Sequence, residues 1–124
     1  MNSEPINIEN ITPKELVIIN DETPVKDTEL QLNLHRKLEK TESGYSFYLS
    51  ASIYKESEKD AEKKSFFIKY SLETCLSCEG DGMPAEDIRK EASITLYPYI
   101  RAGISAAMGA IGIRPLILPP YEIN

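Results

Sequence analysis

Hydrophobic and polar residues alternate along three stretches of this chain, and that period of two indicates strands with one covered face. The stretches are residues 30–35 (LQLNLH), 45–54 (YSFYLSASIY) and 66–78 (FFIKYSLETCLSC). In the first, leucines alternate with polar residues, so His35 is predicted to lie on the polar side. The charged run KESEKDAEKK at residues 55–64 separates the second stretch from the third and is predicted to be a solvated hairpin connection.

The N-terminal residues 5–20 (PINIENITPKELVIIN) predict a further strand, in two pieces. Ile6 and Ile8 suggest a short strand that Thr12 and Pro13 interrupt. The apolar run LVII at residues 16–19 is consistent with a strand that is buried on both faces, or with one that lies along a subunit edge.

The longest apolar region, residues 94–121, contains the strongest helix pattern. Pro98 suits the first turn of a helix, because the hydrogen-bond donor that proline lacks is not needed there. Apolar residues then recur at helical spacing as far as Ile111. Gly112 predicts the end of this helix, and Pro115 prevents it from restarting.

A shorter helix is predicted upstream, over residues 84–93. Pro84 is favourable at a helix start, and Glu86 and Asp87 follow it at the positive end of the helix dipole. This short helix is expected to lead into the main one.

One face of the main helix carries only small residues, which let another backbone approach closely. These residues are Ala102, Gly103, Ala106, Gly109 and Ala110. A 124-residue monomer has little material to cover a helix on all sides, so this face is predicted to be an oligomer interface. A single buried core helix is the alternative.

Together these patterns predict an α+β fold in a single domain spanning residues 1–124. The strands form a four-stranded antiparallel meander, since connections of this length suit hairpins, and the helix lies on one face.

Charge and hydropathy exclude several classes of function. The formal net charge of −6 disfavours nucleic acid, whose binding requires the neutralisation of phosphates. Arg101 and Arg114 interrupt the apolar region before it reaches the about 20 residues of a membrane span. The first residues, MNSEPINIEN, have neither the basic nor the apolar part of a signal peptide, so a cytoplasmic protein is expected.

The sequence contains no recognisable catalytic, cofactor or metal motif. His35 is the sole histidine, and no other residue is positioned to form a catalytic set with it. Cys75 and Cys78 have the spacing of redox and zinc sites, but on a strand they would point to opposite faces, and two further zinc ligands are not in evidence. No enzyme activity, cofactor or bound metal is therefore predicted.

The apolar side chains exceed what one helix can cover, and exposed apolar surface marks a binding site or a subunit interface. The run LYPYIR at residues 96–101, followed by GIS at 103–105, is similar to the L-F-P-Y-A-R helix opening of the SecB family of export chaperones. The run PLILPP at residues 115–120 is similar to that family's P-x-L-x-L-A-P turn, and residues 6–21 and 29–33 resemble its first two strands.

The resemblance implies an ATP-independent holdase that keeps unfolded polypeptides in long apolar grooves. It also implies a homotetramer, a dimer of dimers whose helices pack between two outer sheets. Carried over by position, the groove would be lined by Leu30, Leu32, Leu116, Leu118 and Tyr121.

The sequence departs from the family pattern in two respects. The family continues into a second helix after the proline turn, whereas this sequence stops at Asn124. Of the acids that the family offers to the export motor SecA, Glu15 matches, but Ile19 replaces one and Lys69 reverses the charge of another. An oligomeric scaffold or a dedicated chaperone for one partner, such as an antitoxin, is therefore the alternative to an export chaperone that acts with SecA.

Overall fold

Four antiparallel strands form one sheet, and a single long helix covers one of its faces. The computed structural model describes residues 6–20, 30–56, 64–78 and 83–112. The elements are β1 (Ile6–Asn20), β2 (Gln31–Thr41), β3 (Gly44–Glu56), β4 (Lys64–Cys78) and α1 (Ala85–Ala110). The predicted α+β class, with an antiparallel sheet and a C-terminal helix, is confirmed.

The strand order is β1-β4-β3-β2, so the prediction of a simple meander is wrong. Strands β2, β3 and β4 are consecutive neighbours, but β1 crosses the sheet to pair with β4. The physical reason is that β4 is rich in aromatic and aliphatic residues, which are stabilised when a strand pairs with β4 on each side. Pairing with β1 places Ile18 beside Ile68 and Ile8 beside Leu76.

The predicted alternation of faces is confirmed by the register. Leu32 lies opposite Ile53, Ile53 opposite Ile68, and Ile68 opposite Ile18, which makes an apolar row on the face that α1 covers. Two apolar layers meet there. The largest buried side chains are Phe47, Leu49, Ile53, Phe66, Ile68, Leu72, Ile88, Leu96, Ile100, Ile104 and Met108.

The face of the sheet that α1 does not cover, called here the outer face, is largely polar. One row across it runs from Lys37 to Tyr48, Glu73 and Thr12. His35 also lies on this face, as its position in the alternation predicts, because its register partner Ser50 alternates with Leu49 and Ala51, which face α1.

β1 is one continuous strand, and the prediction of two separate pieces is wrong. The Thr12–Pro13 region instead produces two register irregularities, between Glu9 and Thr12 and between Pro13 and Glu15. Asn10 adopts a positive φ of 50° within the first, and the Thr74 hydroxyl donates a hydrogen bond of 2.6 Å to the Glu9 carbonyl there. An edge strand tolerates proline and bulges because one side of it has no ladder to complete.

The alternative of a β1 segment buried on both faces is also wrong. Leu16 and Ile19 point to opposite faces of the sheet and are 52 % and 42 % exposed. Residues 16–19 lie at the edge of the sheet, where one side of β1 has no neighbouring strand among the described elements.

Pro98 lies inside α1, so the prediction that it begins a helix is wrong. The helix begins thirteen residues earlier (98 − 85 = 13), after Pro84, and continues without a break as one element of 26 residues. Proline removes one backbone hydrogen bond, a cost of about 3 kcal/mol in a helix interior. Buried residues on both sides of Pro98, such as Leu96 and Ile100, hold the helix to the sheet, and Pro98 itself is on the exposed side.

The C-terminal end of α1 is as predicted. Gly112 has a left-handed φ of 79°, and its N–H donates to the Gly109 carbonyl at 3.1 Å. This is the conformation in which glycine commonly terminates helices.

The two glycines inside α1 have different surroundings. A Cβ atom added to Gly103 would lie 2.3 Å from the ring of Tyr70 on β4, whereas a Cβ atom added to Gly109 would meet nothing within 4 Å. Glycine at position 103 therefore lets the helix approach the sheet closely.

We expect Gly103→Ala to lower the free energy of unfolding by about 1–3 kcal/mol, because the added methyl group forces the Tyr70 ring to move. The matched substitution Gly109→Ala should be neutral or stabilising by up to about 1 kcal/mol, since alanine favours helix. Chemical denaturation of both variants checks the difference. Equal effects of the two substitutions would show that the contact with Tyr70 does not limit the residue at 103.

Candidate functional site

Two neighbouring leucines of β2 are exposed on the helix-covered face of the sheet. Leu32 and Leu34 are 38 % and 37 % exposed, although their register partners on β3, Ile53 and Ala51, are almost fully buried. Helix α1 therefore covers this face of β3 but leaves β2 partly exposed. Leu30, just before β2, is half-buried and packs against the core. These three leucines are called the leucine edge below.

The backbone beside the leucine edge is also available. β2 is the terminal strand of the sheet, so one side of it has no strand partner among the described elements. Natural sheets protect such edges with charged side chains, proline or bulges. Residues 36–42 (RKLEKTE) carry that protection, whereas residues 30–35 (LQLNLH) contain no Lys, Arg, Asp or Glu and no proline. The unprotected half of the strand coincides with the leucine edge.

A group of charged residues marks where the helix begins beside β2. Arg36 Nη2 lies 3.8 Å from Glu86 Oε2, and Arg89, one turn further along α1, also pairs with Glu86. These contacts are solvent-exposed, so each is worth little to stability. They show that the start of α1 lies near the charged half of β2.

The structure brings together two of the five residues that the sequence predicts for a groove, Leu30 and Leu32. The other three, Leu116, Leu118 and Tyr121, lie outside the described residues. Leu34 belongs to the leucine edge, although the residues predicted from the sequence do not include it. The sequence pattern could have predicted Leu34, because this residue continues the alternation of Leu30 and Leu32.

The small residues of α1 divide between two environments. Ala102, Ala106, Gly109 and Ala110 are exposed. Gly103 is partly buried against Tyr70 of its own chain, so its small size is accounted for without a second copy. The four exposed residues, called the small-residue stripe below, follow the 54 % exposed Tyr99 along one face of the helix.

Glu15 is engaged by a residue of its own chain. Its Oε1 atom lies 2.8 Å from Nζ of Lys69 on the neighbouring strand. The hydrogen bond to Glu15 raises the pKa of the Lys69 ammonium above its usual value. The charge of this carboxylate is therefore largely balanced on the outer face.

The other candidate residues do not assemble into a chemical centre. No group of three or more His, Cys, Asp or Glu within residues 6–20, 30–56, 64–78 and 83–112 is placed to hold a metal ion. Cys75 and Cys78 both lie in β4, as predicted, and Cys75 is exposed. In the described part of the chain, no helix is both long and apolar enough to cross a membrane.

Comparison with solved structures identifies the fold. The chain is similar to the SecB-like chaperone Rv1957 of Mycobacterium tuberculosis, solved in complex with a ChAD peptide from the Rv1956 HigA1 antitoxin. The TM-score is 0.66 and the sequence identity 15 %, over 97 % of this chain and 93 % of that one. No protein-family model matches the sequence, and no curated protein matches it. The chain therefore has the SecB-like fold.

Proposed function

We propose that this protein is an ATP-independent holdase that binds extended apolar segments of unfolded polypeptides along the leucine edge. The proposal rests on the position of Leu32 and Leu34, which are both more than a third exposed. They lie on a strand edge that contains no charged residue over positions 30–35 and has no strand partner among the described elements. A structure of the same fold was solved with a bound peptide, which supports a polypeptide ligand.

Binding would proceed by addition of a strand to β2. The backbone of an extended client would pair with residues 30–35, and every second client side chain would contact the leucines. Main-chain hydrogen bonds do not depend on client sequence, and aliphatic contacts depend on it only weakly. The result is sequence-tolerant recognition of chains whose backbone is not already paired, which means unfolded ones.

The energy available from each segment is modest. Burying a whole leucine side chain contributes about 1.5–3 kcal/mol, and only somewhat over a third of Leu32 and Leu34 is left to bury. Each leucine therefore contributes on the order of 1 kcal/mol or less, and backbone hydrogen bonds about 1 kcal/mol each. Ordering the client offsets part of this. Tight holding then requires several segments, or several copies of the edge, to act on one client.

An oligomer would supply these copies, and we propose a homotetramer built as a dimer of dimers. The small-residue stripe would allow close approach of helices from two copies. Exposed apolar residues such as Leu16 on β1 offer a second contact surface. We further propose that the protein works in the cytoplasm and has no catalytic activity.

The second candidate function is that of a dedicated adaptor or chaperone for a single partner. It is favoured by the neighbour of the same fold, whose bound peptide comes from an antitoxin. Export through SecA is less favoured, because Lys69 balances Glu15 and Ile19 provides no acid.

Competition between clients distinguishes the two functions. A fluorescently labelled, reduced and unfolded test protein would be bound first, and an unrelated unfolded chain would then be added in excess. A general holdase predicts displacement, because both clients use the leucine edge. Failure of any unrelated unfolded chain to bind or to compete would contradict the general holdase and favour the single-partner adaptor.

A further inference from the structure

The hairpin between β2 and β3 determines which backbone groups of β2 point to its open edge. Thr41 and Gly44 are register partners on either side of a turn formed by residues 42 and 43. They form a hydrogen-bonded pair, because the alternative would require a bond between the two adjacent turn residues. Hydrogen-bonded and non-hydrogen-bonded pairs alternate along an antiparallel ladder. The register continues without a shift to Gln31 and Tyr54, so the odd-numbered residues of β2 bond to β3.

The even-numbered residues of β2 therefore turn their N–H and C=O groups away from β3, toward the open edge. Leu32 and Leu34 are such residues, and they lie in the half of the strand that has no charged residue and no proline. Their side chains are also the exposed leucines on the helix-covered face. The backbone groups and the apolar side chains that a client can reach thus belong to the same two residues.

The intervening residues of this half of β2 present a polar surface. Gln31, Asn33 and His35 are exposed on the outer face, and the Tyr54 hydroxyl donates a hydrogen bond of 3.2 Å to Oε1 of Gln31. Within the described segments, α1 is the only helix, and it covers the other face. A client side chain beside these polar residues would remain in water, so an apolar side chain would gain little there.

We propose that the leucine edge selects client segments in which apolar and polar residues alternate, and that it binds them antiparallel to β2. This selectivity rests on the proposed binding of unfolded chains at the leucine edge. The apolar client residues would lie opposite Leu32 and Leu34 and exchange both backbone hydrogen bonds with them. The polar client residues would lie beside Asn33 and His35. Such segments are those that form sheets with one covered face once the client has folded.

The antiparallel orientation has a consequence for proline and for N-methylated residues in the client. A client residue opposite a leucine would donate its N–H to β2, whereas the polar residues between would turn their N–H groups to solvent. Loss of the N–H should therefore be harmful at apolar positions and tolerated at polar ones. A parallel client would show the reverse, because its donors flank the residue opposite the leucine. Antiparallel addition is favoured, since every strand pair of this sheet is antiparallel and such pairs are the more stable.

The test uses a short peptide in which leucine and threonine alternate, with the full chain as receptor. Two modified forms carry N-methyl groups, either at the leucines or at the threonines, and a fourth peptide has the same composition with its leucines grouped together. Competition against a labelled unfolded protein measures the affinities. We expect N-methylation at the leucines to weaken binding by about tenfold or more, and N-methylation at the threonines to change it by less than about twofold. The grouped peptide should bind about tenfold more weakly than the alternating one.

Hydrogen exchange of the full chain locates the bound peptide. The amides of Leu32 and Leu34 should exchange more slowly when the alternating peptide is bound, because they gain acceptors. The amide of Asn33, which already bonds to β3, should change less.

A substitution on the outer face tests the origin of the selectivity. Asn33→Leu gives the client an apolar neighbour on its second face, so it should tighten binding of the grouped peptide by about threefold. The control Glu39→Leu adds the same side chain to the same strand and face, but beyond the leucine edge, and should leave the ratio of the two affinities unchanged.

Three results would overturn the proposed selectivity while leaving the holdase function intact, provided that the chain still holds the unfolded protein. They are equal weakening by the two N-methylations, stronger weakening by N-methylation at the threonines, and equal binding of the alternating and grouped peptides. Failure of the unmodified peptide to compete with a bound unfolded protein would also refute the selectivity. If the unfolded protein itself is not bound, the proposed function fails as well.

Discussion

Replacing Leu32 and Leu34 together by aspartate should abolish the suppression of client aggregation and leave the fold of the chain intact. Both side chains are already more than a third exposed, so the fold loses little when they become polar. A client strand laid on β2 would, by contrast, have to bury two carboxylates that have no partner. We expect the affinity for an unfolded test protein to fall by about a hundredfold or more, measured by fluorescence anisotropy and by light scattering of the aggregating client.

The same strand provides a matched control. Gln31→Asp with Asn33→Asp adds the same two charges to β2, but on the outer face, because these residues alternate with the leucines. This variant should weaken holding less than the leucine variant does, because the apolar contacts with Leu32 and Leu34 remain. If both double variants lost holding equally, net charge or the strand edge alone would explain the loss. If the leucine variant still suppressed aggregation, the client site would not be the leucine edge.

The second large effect is expected from substitutions on α1, which should change the oligomeric state. Ala102→Arg combined with Ala106→Arg should dissociate the proposed tetramer, so that the solution mass falls to that of a dimer or a monomer. Both alanines are exposed in the single chain, and arginine is a good helix former, so the chain itself should stay folded. At a contact between two helices, the added guanidinium groups would be desolvated facing like charges. Multi-angle light scattering measures the mass.

The control for this prediction adds two arginines elsewhere, as Gln31→Arg with Asn33→Arg on the outer face. That variant should keep the full mass. A bulky substitution at Gly103, such as Gly103→Leu, is not suitable for this test, because the new side chain would collide with Tyr70 within the chain. A stripe variant with the mass of the unaltered protein would contradict the proposed helix interface.

The faces of β2, β3 and β4 were predictable from the sequence because an alternating pattern fixes which side chains point together. The position of β1 in the sheet could not be predicted in this way, because its pairing with β4 depends on contacts between residues distant in sequence, such as Ile8 with Leu76. Pro98 misled the prediction for a similar reason. Local propensity places proline at a helix start, and the packing of Leu96 and Ile100 on the sheet outweighs that preference.

The site was predictable only in part. Leu30 and Leu32 followed from alternation together with the family resemblance, and Leu34 could have followed from alternation alone. What sequence could not provide was the extent of helix cover, which leaves β2 exposed while β3 is buried.

The proposed function requires that this protein binds polypeptides because they are unfolded. The most direct test compares one client in two states, reduced and unfolded or oxidised and native, by size-exclusion chromatography with light scattering. We expect a stable complex with the unfolded state, none with the native state, and no requirement for ATP. Absence of a complex with any unfolded chain, or equal binding of both states, would contradict it.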